Sequence, residues 1–533
     1  MSERRTHLRS AGSISLATLV SRVLGLARDQ VQSYYFGAGF VTDAFLAAFR
    51  IPNLLRDLFA EGALSSAFVP TFTIEKERNG KDSAWGLANR VFTALIVILG
   101  GVGIVIALGA PWILRLYTPG FEPAKMALAV TMTRILSPFL LAVGLAAVAM
   151  GVLNTCGRFF LPALAPAWFN ISAILGVVIL TPILAAYQVH PGISLAVGAM
   201  AGGALQFLIQ VPAMRREGFR FRVDWAPRDP GLRRVGRLML PATFGLAATQ
   251  INLLVDTVLA SNLGHGPISW LSYSFRLIQL PIGLFGVALA TANLTQVSRD
   301  AARGDMESLR TNLASSLRAA ALLTLPATAG LIALRRPIIQ LLFEHGRFTA
   351  DDTLRTAAAL LCYSLGLYAY AVTKIQVPTF YALGKTRVPV IASASAVSLK
   401  ILANLVLFWL LPRMRIDPFL GLAFTTSLAA WTNFLLLSRG LRASIGKLRG
   451  HRVVESALKM AVVSGIMGLG AGTLHAALTR WVGAGGVGGE ALRLSAAVAV
   501  GLGITAAGAH LLRVPEALGL ATRVRARFHS TRT

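Results

Sequence analysis

Cysteine is nearly absent from this chain: Cys156 and Cys362 are the only two in 533 residues. They lie far apart, each beside or inside an apolar segment, which excludes a disulfide framework and any cysteine-rich metal or redox motif. Acidic residues are also scarce, 23 against 51 lysines and arginines, and charged residues of both signs make up only 14% of the sequence. A soluble chain of this length would form several domains with far more charge. No Walker A loop is present, so no ATP site is expected. DxD pairs and histidine clusters are missing as well, and His7, His190, His265 and His345 are scattered in or near tails and loops. A membrane glycosyltransferase or phosphatase needs convergent carboxylates or a metal cluster near the interface. The chain therefore reads as a non-enzyme with no cofactor. The basic opening MSERRTHLRS lacks a small-residue cleavage site and reads as a cytoplasmic tail entering the first helix.

What the sequence has in quantity is apolar length, 55% of its residues. Apolar stretches fall near 11–37, 44–72, 86–116, 127–154, 161–187 and 191–213, then 234–262, 267–297, 309–342, 353–379, 387–410, 417–437, 455–478 and 490–513. The expected fold is an all-α polytopic membrane protein of about 14 transmembrane helices. The second and eighth segments are weakly apolar and are expected to fall short of a strict hydropathy test. A net charge of +28 would ordinarily suggest nucleic acid, but the basic residues sit mostly in short connections. That distribution fits positive-inside orientation and attraction to anionic membrane lipids, with no nucleic-acid partner. The connection at 214–233 holds Arg215, Arg216, Arg220, Arg222, Arg228 and Arg233, whereas 188–192 and 262–268 hold no lysine or arginine. Both termini are thereby assigned to the cytoplasm.

The stretch VLNTCGRFFLPALAPAWFNISAI from Val152 matches TFYALGKTRVPVIASASAVSLKI from Thr379 in its order of features. Both fall at the fourth-to-fifth connection of a six-helix set, which suggests two six-helix lobes in the same orientation. The expected organisation is an N-terminal lobe over 1–214, a basic cytoplasmic loop over 215–233, a C-terminal lobe over 234–440, and two further helices with a basic tail over 441–533.

Charge within the spans is the main functional signal. Each such group costs about 2.5–3.5 kcal/mol on insertion scales, so it normally lines water or binds something. Arg22, Arg28 and Asp29 interrupt the first helix; Asp43, Arg50, Asn53 and Asp57 draw a polar stripe along the second, with Arg56 and Glu61 adjoining. Pro52 bends that helix, which is tolerated beside water or a polar neighbour. A lighter stripe follows: Gln250, Asn252 and Asp256 in the seventh helix, Arg276 and Gln279 in the eighth, and Lys374 further on. Amides at such positions are often interhelical glue and ion pairs often lock helices together. Arg276 is harder to explain so, with no acid within a turn. Helices 1 and 2 facing 7 and 8 would enclose a central basic cavity suited to phosphate or carboxylate.

These residues resemble the MurJ (MviN) family, bacterial lipid II flippases of the multidrug/oligosaccharidyl-lipid/polysaccharide exporter superfamily. The resemblance is carried by SRVLGLARD at 21–29, FGAG with TDAF at 36–45, RIPNLLRDLFAEGALSSAFVP at 50–70, LNTCGRFFLPALAP at 153–166, SFRLIQLPIGLFGVALAT at 274–291 and FEHGRFTADD at 343–352. It implies fourteen helices in two six-helix lobes around the cavity, with a hydrophobic groove formed partly by the final pair. It also implies Arg22, Arg28, Arg56 and Arg276 as cavity arginines, Asp43 and Glu61 as important acids, and Arg50 at a basic position. The implied cargo is lipid II, an undecaprenyl-pyrophosphate-linked muropeptide, moved outward across the bacterial cytoplasmic membrane by alternating access. A monovalent coupling ion and the cell-wall synthesis machinery stand as further candidate partners. Phe275 occupies a position where some members carry aspartate, and Gln279 one where some carry glutamate, so this side of the cavity is more positive. The alternatives are an exporter of another isoprenoid-linked oligosaccharide or of drugs, and a transport-inactive membrane scaffold.

Overall fold

The protein is described by a computed structural model covering residues 2–56, 64–448, 452–482 and 486–517. The helices of its first half are α1 (Ser2–Phe36), α2 (Phe40–Arg56), α3 (Leu64–Tyr117), α4 (Pro123–Leu136), α5 (Phe139–Thr155), α6 (Phe160–Ala186), α7 (Ile193–Leu208), α8 (Val211–Arg216) and α9 (Pro230–Ser261). There follow α10 (Pro267–Pro281), a π turn at Ile282–Gly286, α11 (Val287–Arg303), α12 (Met306–Ala333), α13 (Arg335–Phe343), α14 (Ala350–Ser364) and α15 (Leu367–Ala382). The last four are α16 (Arg387–Arg413), α17 (Pro418–Ile445), α18 (Val453–Val482) and α19 (Gly486–Leu511). No strand occurs among the described residues.

Among the described residues, ten helical runs are long and apolar enough to cross a membrane, and eleven if the bent pair α14 and α15 is taken as one span. The fold is thus all-α and polytopic. Among the described residues, α2 stands outside that set. Over its described residues α2 carries Asp43, Arg50 and Arg56 and does not meet the test, while 57–63 of the second expected segment lie outside the described residues. The eighth segment differs from expectation: Pro267–Arg303 passes the test, because apolar helix continues through the π turn into α11.

Proline and glycine explain where expected single helices divide. The stretch read as 127–154 is two helices, α4 and α5, separated at Ser137 and Pro138. Conversely, the basic connection near residues 75–90 is itself helical and is absorbed into α3, which breaks only at Gly80, where φ is 84°. That left-handed value suits glycine. At Pro281 the missing N–H disrupts α-helical bonding and the chain passes into the π turn.

The chain divides into two compact units, one of Met1–Ser269 with Gly346–Phe348, the other of Trp270–His345 with Thr349–Thr533. In the first, α6 packs on α7 and on α1, α3 on α5 and α9, and α2 on α4. The α6–α7 contact is backbone-close: a Cβ built on Gly176 would stand 2.4 Å from the Cα of Gly198. In the second, α12 packs on α18, α16 on α17, α18 on α19 and α11 on α15. Its core includes Leu313, Ile375, Phe380 and Leu437.

Candidate functional site

Within the first unit, Arg28 of α1 is held from both sides. Arg28 donates from Nη2 and Nε to Asp29 Oδ1 at 2.7 and 3.1 Å, and from Nη1 to Asn170 Oδ1 of α6 at 3.2 Å. Asn170 in turn donates through Nδ2 to the Ser21 carbonyl at 3.0 Å, tying α6 to the same face of α1. The guanidinium carbon lies 5.7 Å from the centroid of the Phe169 ring, a cation–π contact. Arg28 is therefore half-buried and oriented, with its fork shared among an acid, an amide and an aromatic face. Arg22, further toward the N-terminus of α1, is exposed.

Asp43 of α2 has a different environment. Its carboxylate accepts from Lys125 Nζ at 2.9 Å, Gly266 N at 2.7 Å, Ser269 N at 2.9 Å and Ser269 Oγ at 2.5 Å. Ser269 lies in the first turn of α10, where unsatisfied N–H groups and the helix dipole favour an anion. Lys125 also donates to the Gly264 carbonyl at 3.3 Å, lies 3.3 Å from His265 Nδ1, and rests 4.5 Å from the Phe121 ring centroid. Asp43 thus joins α2 to α4 and to the start of α10, rather than standing open on a cavity wall. Elsewhere in this unit, Arg347 N donates to the Tyr34 carbonyl at 2.9 Å, and Gly37 approaches the Arg347 backbone so closely that a Cβ there would meet its carbonyl oxygen at 2.5 Å.

Arg50, Asn53 and Arg56 follow on α2 and are all half-buried, whereas Asp57 and Glu61 lie outside the described residues. Gln250 of α9 is buried and Asn252 and Asp256 are half-buried; all three fall in the first compact unit. Asn252 Oδ1 is a buried acceptor with no hydrogen-bond partner among the described residues. In the second unit, Arg276 and Gln279 are exposed about one turn apart on α10, and Lys374 is exposed on α15. Phe275 packs edge-on against Tyr363 at 5.3 Å between centroids.

Two participants escape a reading of charge and hydropathy. Lys125 sits just before the stretch expected to begin at residue 127, so it reads as a loop cation although α4 starts at Pro123. Asn170 is one uncharged residue in a long apolar segment. The faint signal in both cases is a polar group isolated among apolar neighbours.

The second unit also contains an apolar cavity of about 1000 Å³. Its lining includes Leu280, Phe285, Ala327, Leu331, Met467 and Leu502, drawn from α10, the π turn, α12, α18 and α19. The final helix pair is thus one wall of this apolar space.

A family model described as "Lipid II flippase MurJ" matches residues 32–493. A Vibrio cholerae protein named "Probable lipid II flippase MurJ" is 38% identical over 443 residues, covering 81% of this chain and 82% of its own length. A solved structure titled "Lipid II flippase MurJ, inward closed conformation" aligns with a TM-score of 0.75 and 28% identity, covering 94% of this chain and 99% of that one. An inward-facing multidrug resistance MATE family transporter of the MOP superfamily shares the fold at a TM-score of 0.62 and 15% identity, over 81% of this chain and 94% of its own. By the extent of the family match and the level of identity, the chain belongs to the MurJ lipid II flippase family.

Proposed function

We propose that this protein translocates lipid II from the cytoplasmic to the outer leaflet of the bacterial cytoplasmic membrane, and that it does so by alternating access. The observation that carries the reading is the Arg28 guanidinium, held in place by Asp29 and Asn170 on α1 of a MurJ-family chain. A guanidinium fork in a region of low dielectric suits a pyrophosphate, and its neighbours orient it before the anion arrives. In this reading fourteen helices form two six-helix lobes and a C-terminal pair, both termini are cytoplasmic, and the lobes enclose a central basic cavity.

Arg22, Arg28, Arg50, Arg56 and Arg276 would take the anionic headgroup, with Asn53, Gln250, Asn252, Asp256, Gln279 and Lys374 as polar lining and Glu61 as an acid of the same cavity. Asp43 acts at a distance from the anion, by holding α2 to α4 and the start of α10. The undecaprenyl tail runs along the apolar space between α12 and the final pair. No covalent bond changes. An inside-negative membrane potential favours the outward movement of negative charge, and a monovalent ion gradient is a second drive. The cell-wall synthesis machinery that consumes lipid II outside would complete the direction.

The test is depletion of the protein followed by extraction of labelled lipid II with an impermeant probe of the outer face. Lipid II accumulating only on the cytoplasmic face is the expected result, and Arg28→Ala should reproduce it at normal protein level. Unchanged outer exposure after depletion would overturn the reading.

A further inference from the structure

The connection between α8 and α9 is an ordered strap. Its backbone is pinned to one face of α3: Asn89 donates through Nδ2 to the Arg220 carbonyl at 3.2 Å and accepts from Arg222 N at 3.0 Å, and Thr93 Oγ1 accepts from Asp224 N at 3.1 Å. Arg90 closes the contact with Asp224 at 2.9 Å and Asp229 at 2.7 Å. These bonds engage alternate residues 220, 222 and 224, as a strand edge would, and side chains in such a segment alternate between two faces.

Phe219 anchors one face in an aromatic cluster, 5.4 Å from both Trp85 and Phe92 between ring centroids. Beyond it on the same alternation, Phe221, Val223 and Trp225 are exposed by 49%, 78% and 53%. Arg220 and Arg222 alternate with them and are exposed, as are Arg215, Arg216 and Arg228. One turn past Thr93, α3 presents Ile96, Val97 and Ile98 outward within a run long and apolar enough to span the membrane. The strap therefore lies where lipid-facing surface gives way to a basic end.

An apolar row with a tryptophan at its end, next to a row of guanidinium groups, matches the boundary between acyl chains and headgroups. The basic row selects a negatively charged headgroup. We propose that the strap over 219–228 is a preformed binding site for an acidic phospholipid of the bilayer: Phe221, Val223 and Trp225 enter the acyl boundary, and Arg220, Arg222 and Arg228 hold the headgroup phosphate. The inference is independent of the cargo, and its readouts require no transport.

The full chain is placed in bilayers of phosphatidylcholine alone or mixed with phosphatidylglycerol. With acyl chains brominated, the quenched emission lost in Trp225→Phe reports the position of that ring. The expected result is a Trp225 contribution quenched by bromine and protected from aqueous iodide. Retention of phosphatidylglycerol over phosphatidylcholine should fall about tenfold or more in the triple variant Arg220→Gln, Arg222→Gln, Arg228→Gln. Thermal stability in phosphatidylcholine should stay near that of the unaltered protein, and lysine at the same three positions should restore most of the preference. A Trp225 ring quenched by iodide and not by bromine overturns the proposal, as does a phosphatidylglycerol preference that survives the glutamine substitutions.

Discussion

Asp43 and Lys125 meet at 2.9 Å although 82 positions separate them in the chain, and their side chains are 0% and 2% exposed. Two charges at that depth are stable only if each finds further partners, and both do: the carboxylate has the Gly266 and Ser269 donors, the ammonium the Gly264 carbonyl. The pair is a joint between α2, α4 and the start of α10. Lys125→Met should leave an uncompensated buried carboxylate and cost about 3–5 kcal/mol, seen as a lower thermal unfolding midpoint in detergent. Adding Asp43→Asn keeps an acceptor for the amides but removes the charge, so the double variant should regain part of the loss. Additive losses in that cycle would show that the two residues do not act together.

Asn170 should prove a positioning residue for Arg28. Asn170→Leu removes the acceptor for Arg28 Nη1 and the donor to the Ser21 carbonyl, at about 1–3 kcal/mol of stability. Outer-leaflet exposure of lipid II should fall with it. Asn170→Gln, which retains both hydrogen-bonding functions on a longer stem, should restore a measurable part of the exposure; if it behaves like leucine while protein level is normal, orientation of Arg28 is not the reason for the loss.

Much of the architecture is legible in the sequence because membrane insertion depends on composition: long apolar runs must be helices, and scarce charge within them must be accommodated. The partners of that charge are another matter. Asp43 stands out as an intramembrane acid, but three of its donors come from Gly266 and Ser269, more than two hundred positions away, and backbone N–H groups carry no side-chain signature. The strap over 219–225 reads as a basic loop for the same reason, since its order comes from Asn89, Arg90 and Thr93 on another helix. Punctuation shifts helix boundaries: Pro138 splits one expected helix into α4 and α5 within a run that still counts as a single span, while the basic stretch around Gly80 reads as a loop but is helical on either side of a break at that residue.

The close contact of α6 and α7 gives a steric prediction. A methyl on Gly176 has no room against the Gly198 backbone, so Gly176→Ala must push the helices apart, at about 1–3 kcal/mol. Gly100 of α3 is the matched control, with nothing within 4 Å of a Cβ placed there. Gly100→Ala should be neutral or stabilising by up to about 1 kcal/mol, because alanine is the better helix former. Thermal unfolding of the two variants side by side checks the contrast, and equal losses would rule out the backbone contact as the cause.

The apolar cavity of the second unit makes a prediction about cargo length. Ala327 is half-buried on α12 and lines the space together with Leu331, Met467 and Leu502. An indole at this position fills volume that a hydrocarbon chain would otherwise occupy, and it does so with an apolar surface against apolar walls, so thermal stability should change little. If the isoprenoid tail uses the cavity, Ala327→Trp should slow outward movement of lipid II with a full-length polyprenyl chain by about tenfold, the equivalent of 1.4 kcal/mol. A synthetic analogue with the same headgroup and a short prenyl chain should be moved at nearly the original rate, since its tail does not reach the obstruction. Equal inhibition of both cargoes would instead mean that the indole disturbs the helices, and no inhibition of either would place the tail in the surrounding bilayer throughout.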